Sequence, residues 1–250
     1  ATSEIANNFH AGIWLGRGIR SASITERFVN FLPVGLDAYE VVGNAELNHE
    51  INRQVDLIFQ LKKKKSNVYI NLFASSVENF ISSVVLPGVK PVVSTSPGVR
   101  QFINIPEARL YGFEFSWVQK INNHLKNTLT TTYTHGQDMK LNQPLPEISP
   151  LEFKNRIDQV VVDEKLSIYA NMRYVASQDR ISSVFNEKKT ADFMLFDLGL
   201  KYFPTKRSQI SVDVTNLFDV TYREHLSRFI SSTKPLNSLG RNFILIYTYQ

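Results

Sequence analysis

Two short polar segments carry side chains that could contact a metal ion or a metal chelate. In the first, His135 precedes Asp138 and Met139; in the second, His225 lies between two arginines. Imidazole is a common ligand of transition metals, so His225 and His135 are the candidate metal contacts. A solvated loop histidine without a substrate contact is the simpler interpretation of each. The candidate substrate-binding residues are His135, Asp138, Met139, Arg223, His225 and Arg228.

No other grouping of residues indicates an enzyme or a resident cofactor. The chain has no cysteine, and its five histidines show no His-Glu-x-x-His spacing, so a structural zinc site is not expected. It also lacks a Gly-x-Ser-x-Gly nucleophile motif and a glycine-rich phosphate loop. Glu147 and Glu152 flank Pro150, which favours a loop returning to a strand over paired catalytic carboxylates. We expect no enzyme and no cofactor.

The net charge of +5 does not indicate a nucleic-acid partner. The densest basic cluster is the run of lysines at 62–65, between two alternating segments. This run lacks the interleaved aromatic residues that stack on bases, so we interpret it as a solvated turn. No apolar run approaches the roughly 18 residues of a transmembrane helix.

Alternation of apolar and polar residues predicts that the chain consists of β-strands. Phe113 and Phe115 alternate with Glu114, and Val212 alternates with Asp213. One face of these strands is rich in aromatic residues, and the other carries charged, amide and hydroxyl groups. The predicted strands are 7–16, 51–62, 66–76, 107–121, 125–135, 152–163, 165–176, 193–204, 207–217 and 241–249.

The lengths of the connections favour one β architecture over another. Short links near 62–66, 121–125, 163–165 and 204–207 alternate strictly with long links at 17–50, 77–106, 136–151, 177–192 and 218–240. An up-and-down barrel with tight turns at one rim and long loops at the other produces this alternation. A Greek-key sandwich has no reason to produce it.

The aromatic-rich face suits a sheet whose outer side contacts lipid. The residues expected to face lipid are Phe113, Phe115, Leu198, Val212 and Tyr247, and those expected to face the lumen are Glu114, Asp197 and Asp213.

Four blocks, in order along the chain, resemble the TonB-dependent outer-membrane receptors. The last block is 208–229 together with 239–250, which contains an Asn-Leu-Phe-Asp corner. Proline is common in the family where Ala22, Ala45 and His49 stand. The matching residues of the other blocks are Gly16, Arg17, Gly18, Arg20, Ser23, Glu26 and Phe28, then Gly43, Asn44, Leu47 and Glu50, then Asn104, Ala108, Gly112 and Glu114.

The resemblance implies an all-β fold, an antiparallel up-and-down transmembrane β-barrel, with residues 1–250 forming about ten strands of a barrel of about 22. This would be the C-terminal part of the barrel, without the plug domain, and one further aromatic residue is expected after Gln250. The implied function is active uptake, in the Gram-negative outer membrane, of an iron-siderophore or another metal species. The implied partners are the TonB energy-coupling complex, reached through the N-terminal region, the metal chelate or siderophore, and outer-membrane lipid.

The sequence does not exclude several competing functions. A passive porin or an adhesin-type barrel would show the same strands, and a receptor of this family could take up a non-metal nutrient such as an oligosaccharide. The competing classes also include an outer-membrane enzyme and a soluble β-sandwich binding module.

Overall fold

The computed structural model describes residues 2–30, 38–227 and 236–249. These residues form one β-sheet and a single short helix, α1 (Ile24–Phe28). The strands are β1 (Thr2–Ala6), β2 (Phe9–Arg20), β3 (Glu40–Val42), β4 (Glu50–Lys63), β5 (Ser66–Val85), β6 (Val99–Lys120), β7 (Leu125–Asp138), β8 (Gln143–Pro144), β9 (Glu152–Val162), β10 (Leu166–Val175), β11 (Phe193–Thr205), β12 (Ser208–Thr215) and β13 (Asn242–Tyr249).

Each long strand pairs antiparallel with the next long strand along the chain, so the sheet is an up-and-down meander. The two shortest strands are additions to it: β3 pairs in parallel with the start of β6, and β8 pairs with the end of β7. The first and last strands of the path, β1 and β13, do not pair with each other in the described ranges, and the sheet is not closed. The all-β, antiparallel, up-and-down class predicted from the sequence is confirmed.

The predicted alternation of short and long connections is also present. Tight turns such as 64–65 and 206–207 join strands at one edge of the sheet, which we call the short-turn rim. Long connections such as 86–98, 139–151 and 176–192 lie at the opposite edge, the loop rim. Asn8 and Glu164 have φ values of 64° and 58° in two of the tight turns, the left-handed conformation that such turns require.

Several predicted boundaries were wrong. The loop predicted over 77–106 is shorter, because β5 and β6 continue as a hairpin and only 86–98 connects them. Asn79, with a φ of 55°, and Pro106 look like loop residues, but Glu78 pairs with Glu107 and Phe80 with Ile105 around them. Three short strands, β1, β3 and β8, were not predicted from the sequence.

The register divides the sheet into an apolar face and a polar face. On the apolar face Leu72 pairs with Phe113, which pairs with Tyr133. On the polar face Asn71 pairs with Glu114. The predicted division of apolar from charged residues is therefore confirmed, since directly paired residues point to the same side of a sheet.

The polar face is joined by hydrogen bonds across strands. Tyr169 donates from its hydroxyl to Asp213 Oδ1 at 2.6 Å, and the guanidinium of Arg156 lies 3.8 Å from the centre of the Tyr169 ring. This ring lies across Gly199, where an added Cβ would come within 2.0 Å of a Tyr169 ring carbon. A glycine is needed there because the aromatic ring occupies the space of a side chain.

The first three family-like blocks form a connected unit at the loop rim. Arg20, at the end of β2, donates to Glu50 Oε2 at 2.6 Å and to Glu26 Oε1 at 3.0 Å. Ser23 and Glu26 cap α1 reciprocally, each bonding the backbone N–H of the other. Asn44 joins α1 to β6, because its N–H donates to the Glu26 carbonyl and its side chain donates to the Phe102 carbonyl.

Burial is concentrated near the loop rim. Val77, Ile105, Ala108 and Leu145 form one cluster, which joins the β5–β6 hairpin to the connection 139–151. A second cluster contains Val175, Phe193 and Leu195. Among the described residues, no helix is long and apolar enough to cross a membrane.

Candidate functional site

The long connections enclose a cavity of about 170 Å³ at the loop rim. It is bordered by residues 185–188, by residues 223–227, by Glu147, by the chain before β3, and by Pro97 and Arg100. Charged and aromatic side chains dominate its wall. The lining includes Tyr39, Arg100, Phe185, Glu187, Lys188, Arg223 and His225.

Glu187 is the point at which three long connections meet. Its Oε1 accepts a hydrogen bond from the backbone N–H of Glu147 at 2.7 Å and lies 3.1 Å from Nε2 of His225. Its Oε2 accepts from the backbone N–H of Ser182 at 3.0 Å. Burial by itself raises the pKa of Glu187, but the hydrogen bonds from His225, Ser182 and Glu147 outweigh it and leave the pKa below its ordinary value.

His225 is held at both ring nitrogens. Its Nε2 lies against Glu187, and its Nδ1 lies 3.1 Å from the hydroxyl of Thr190. The side chain is 1% exposed. A metal ion could bind either nitrogen only after the present partner had left it.

Arg100, at the start of β6, joins the hairpin to the opposite loop. Its guanidinium lies between two aromatic rings, 4.2 Å from the centre of Tyr39 and 3.9 Å from that of Phe185. It also donates from Nη2 to the Phe185 carbonyl at 2.7 Å. Asn186 donates to the Tyr39 hydroxyl, so the two aromatic residues are joined on the other side as well.

Two sequence-predicted site residues, Arg223 and His225, line this cavity. Burial lowers the pKa of the Arg223 guanidinium, which remains protonated. Next to them, Glu224 contacts Arg173, which also donates to Glu152 from the polar face of the sheet. The segment around Glu224 is therefore held on the polar side.

The other predicted residues lie elsewhere. His135 was expected at the start of a loop, but β7 continues to Asp138, and the register puts His135 on the apolar face, stacked on Tyr111 at 4.4 Å. Asp138 Oδ1 accepts hydrogen bonds from the backbone N–H groups of Lys140 and Leu141, and Met139 is partly exposed. Arg228 lies outside the described residues.

The residues that organise the cavity were not predicted from the sequence. Glu187 follows an asparagine and precedes two lysines in a polar loop, and Arg100 falls in a segment predicted to be a loop. No spacing links either of them to His225. The described residues contain no group of three or more His, Cys, Asp or Glu side chains placed to hold a metal ion.

Comparisons with known proteins agree with this architecture. Residues 9–217 match a family model described as TonB dependent receptor-like, beta-barrel. A search of curated proteins found no match.

Solved structures share the fold. The copper transporter OprC superposes with a TM-score of 0.83 at 22% identity, covering 99% of this chain and 37% of its own. A ferric enterobactin receptor (PfeA) mutant from Pseudomonas aeruginosa gives 0.73 at 17% identity, covering 99% of this chain and 39% of that one. The siderophore receptor PirA from Acinetobacter baumannii gives 0.72 at 18% identity, covering 99% and 40%.

The chain thus spans less than half the length of these structures, and its meander corresponds to part of their barrels. Since the family model covers most of the chain, and the strand order and alternating faces agree with it, this chain belongs to the TonB-dependent receptor family of outer-membrane β-barrels.

Proposed function

We propose that this chain forms part of the wall and external loops of an active transporter that takes up a metal chelate, such as a ferric siderophore, across the outer membrane. The observation that carries the proposal is the cavity at the loop rim, where three cationic residues, Arg100, Lys188 and Arg223, line a wall shared with two carboxylates and two aromatic rings. Cationic groups next to aromatic surfaces suit a bulky anionic chelate better than a small neutral solute.

The partial burial of Arg223 also favours an anionic ligand. A charge that is removed from water interacts more strongly with an opposite charge, because the local dielectric constant is lower. An anionic ligand at the cavity would therefore gain more from Arg223 than from an exposed arginine at the short-turn rim. The names of the similar structures, which include a copper transporter and siderophore receptors, favour the same class of cargo.

Uptake is proposed to require energy from the TonB complex, which would act through a region outside this chain. The barrel wall then supplies loops and lumen, and outer-membrane lipid surrounds the apolar face. His225 and His135 remain proposals as metal contacts, and Asp138, Met139 and Arg228 as substrate contacts.

The test uses cells that lack their own receptor and express the intact receptor containing this chain. Accumulation of labelled ferric siderophore and labelled copper is measured with and without TonB. Arg223→Gln is expected to reduce uptake about tenfold, the effect of losing roughly 1.4 kcal/mol of binding. The matched control, Arg207→Gln in a tight turn, removes the same charge from the opposite rim and is expected to leave uptake unchanged.

The proposal fails if the receptor accumulates neither metal species, or if accumulation continues unchanged without TonB. The latter result would favour a passive pore. Equal effects of the two substitutions would show that the cavity does not contact the cargo.

A further inference from the structure

A row of arginines crosses the apolar face of the sheet near the loop rim. Arg17 in β2 pairs directly with Arg53 in β4, Arg53 pairs with Ser76 in β5, and Ser76 pairs with Arg109 in β6. Four neighbouring strands therefore present three guanidinium groups at one level. We call Arg17, Arg53 and Arg109 the arginine row.

The arginine row is on the same face as the apolar band, not in the lumen. The next row toward the short-turn rim consists of Leu15, Val55, Ala74 and Tyr111, again paired directly across the same four strands. Alternation along each strand places the row and this apolar set on one side. The arginines thus border the surface that faces lipid.

The level of the row corresponds to the edge of the lipid hydrocarbon. On the same face, ten residues separate Arg53 from Lys63 and ten separate Arg109 from Gln119, with only apolar outward side chains between. Ten residues in a strand span about 33 Å. At a strand tilt of about 40°, that length covers roughly 25 Å across the membrane, the height of the apolar band of such barrels. Lys63 and Gln119 then lie at one interface between hydrocarbon and water, and the arginine row lies at the other.

The charges of the row are only partly balanced within the described residues. Arg53 contacts Glu78 at 2.5 Å, and Arg109 contacts Glu107 at 2.8 Å. No ion pair of Arg17 occurs in the ranges that the structure describes, although it faces Arg53 directly. Two like charges opposite each other destabilise a sheet, so an anion between them would be favourable. The Arg53 and Arg109 side chains are 51% and 57% exposed, which leaves them accessible.

A groove lies along the row. It is bordered by Leu15, Arg17, Arg53, Ser76, Arg109 and Tyr111 and has a volume of about 640 Å³. Its apolar floor next to guanidinium groups matches an amphipathic molecule, with acyl chains below and an anionic head group above. Guanidinium binds phosphate through paired N–H donors, which makes arginine suited to this contact.

We propose that the arginine row is a binding site for the phosphate groups of lipid in the outer leaflet of the outer membrane. The site is distinct from the cavity at the loop rim and does not depend on the identity of the transported cargo. It requires the loop rim to face outward. A bound phosphorylated lipid would offset the Arg17–Arg53 repulsion and fix the height of the barrel in the membrane.

The test measures binding of lipid A by the purified intact receptor, using native mass spectrometry and titration in detergent. The ligands are bisphosphorylated lipid A, its dephosphorylated form, and inorganic phosphate alone. The triple variant Arg17→Gln, Arg53→Gln and Arg109→Gln is expected to bind bisphosphorylated lipid A about a hundredfold more weakly, because each basic group near an anionic lipid surface contributes roughly 1 kcal/mol. The matched control is Lys62→Gln, Lys63→Gln and Lys64→Gln, with the same charge change at the short-turn rim, and it is expected to bind as the unmodified receptor does.

Dephosphorylated lipid A is expected to bind the unmodified receptor as weakly as the triple variant binds the phosphorylated form. Equal binding of the two lipids, or an equal loss in the lysine control, would overturn the proposal. If inorganic phosphate bound with the same dissociation constant as bisphosphorylated lipid A, the row would be a site for free phosphate and not for lipid. If the triple variant does not fold, Arg17→Gln alone is expected to weaken binding about fivefold, and no change would be contrary to the proposal.

Discussion

Glu187 and His225 lie 38 positions apart in two different long connections, and yet the imidazole Nε2 lies 3.1 Å from the carboxylate. The same carboxylate oxygen accepts the backbone N–H of Glu147 from a third connection. One partly buried acid thus joins three loops at the rim of an open barrel segment. This arrangement is what brings Arg223 and His225 to the wall of the cavity.

The order of these loops should depend on pH through Glu187. Its folded-state pKa is lowered from an ordinary value of 4.5, so its contribution to stability is complete above pH 4.5 and is lost as the pH falls through the lower folded value. We expect hydrogen exchange in 139–151 and 176–192 to accelerate in that acidic window. Glu187→Gln should exchange faster at neutral pH and lose most of this dependence, since a bond to a charged group contributes about 1.5–3 kcal/mol. Identical profiles for both proteins would exclude Glu187 as the joining group.

Two substitutions at position 225 separate positioning from metal contact. His225→Ala should reduce uptake at limiting substrate, because it leaves Glu187 and Thr190 without their shared partner. His225→Gln can still donate a hydrogen bond to Glu187, and we expect it to retain most of the uptake. If His225 binds metal in the transport cycle, both variants should lose uptake equally. Normal transport by the alanine variant would remove His225 from the site altogether.

The close approach of Tyr169 to Gly199 predicts a large effect of a single methyl group. Gly199→Ala would place Cβ within 2.0 Å of the Tyr169 ring and should destabilise the folded barrel by about 1–3 kcal/mol. Gly16→Ala is the matched control, because nothing lies within 4 Å of the position of its Cβ. Unfolding in urea from lipid vesicles measures both variants. Equal stability of the two would contradict the packing of Tyr169 across Gly199.

The assignment of faces can be tested with one charge at adjacent positions. Leu72→Arg puts a guanidinium on the apolar face and should destabilise insertion by about 2–4 kcal/mol if the site is near the bilayer midplane. Asn71→Arg, one residue earlier, points to the polar face and should have a much smaller effect. The measurement is the folded fraction in vesicles over a denaturant series. If Asn71→Arg were the more destabilising of the two variants, the polar face and not the apolar face would contact lipid.

The orientation of the two rims is a further prediction. Lys64 is exposed in a tight turn, and Lys90 is exposed in the long connection 86–98. With cysteine at either position in the intact receptor, a thiol reagent that cannot cross the membrane should label Lys90→Cys on whole cells and Lys64→Cys only after lysis. The opposite labelling would show that the short-turn rim, and not the loop rim, faces outward. It would also remove the basis for a lipid site in the outer leaflet.

The sequence alone determined most of the long strands and their faces. Alternation is a local property, and it survives in segments such as Phe113, Glu114 and Phe115 because one side contacts lipid and the other the lumen. The alternation of short and long connections was likewise visible, since a meander needs only tight turns on one side. The extended β5–β6 hairpin was not predicted, because the backbone preferences of Asn79 and Pro106 are typical of loops.

The tertiary structure decided which residues meet. Nothing in the spacing of Glu187, Arg100 and His225 shows that they border one cavity, because their approach depends on how several long connections pack over the polar side. The arginine row is similarly invisible, since Arg17, Arg53 and Arg109 become neighbours only through the register of four strands. The alternation of side chains along one strand determines which face each side chain is on. Its neighbours on that face depend on the cross-strand register, which is specified by the whole sheet.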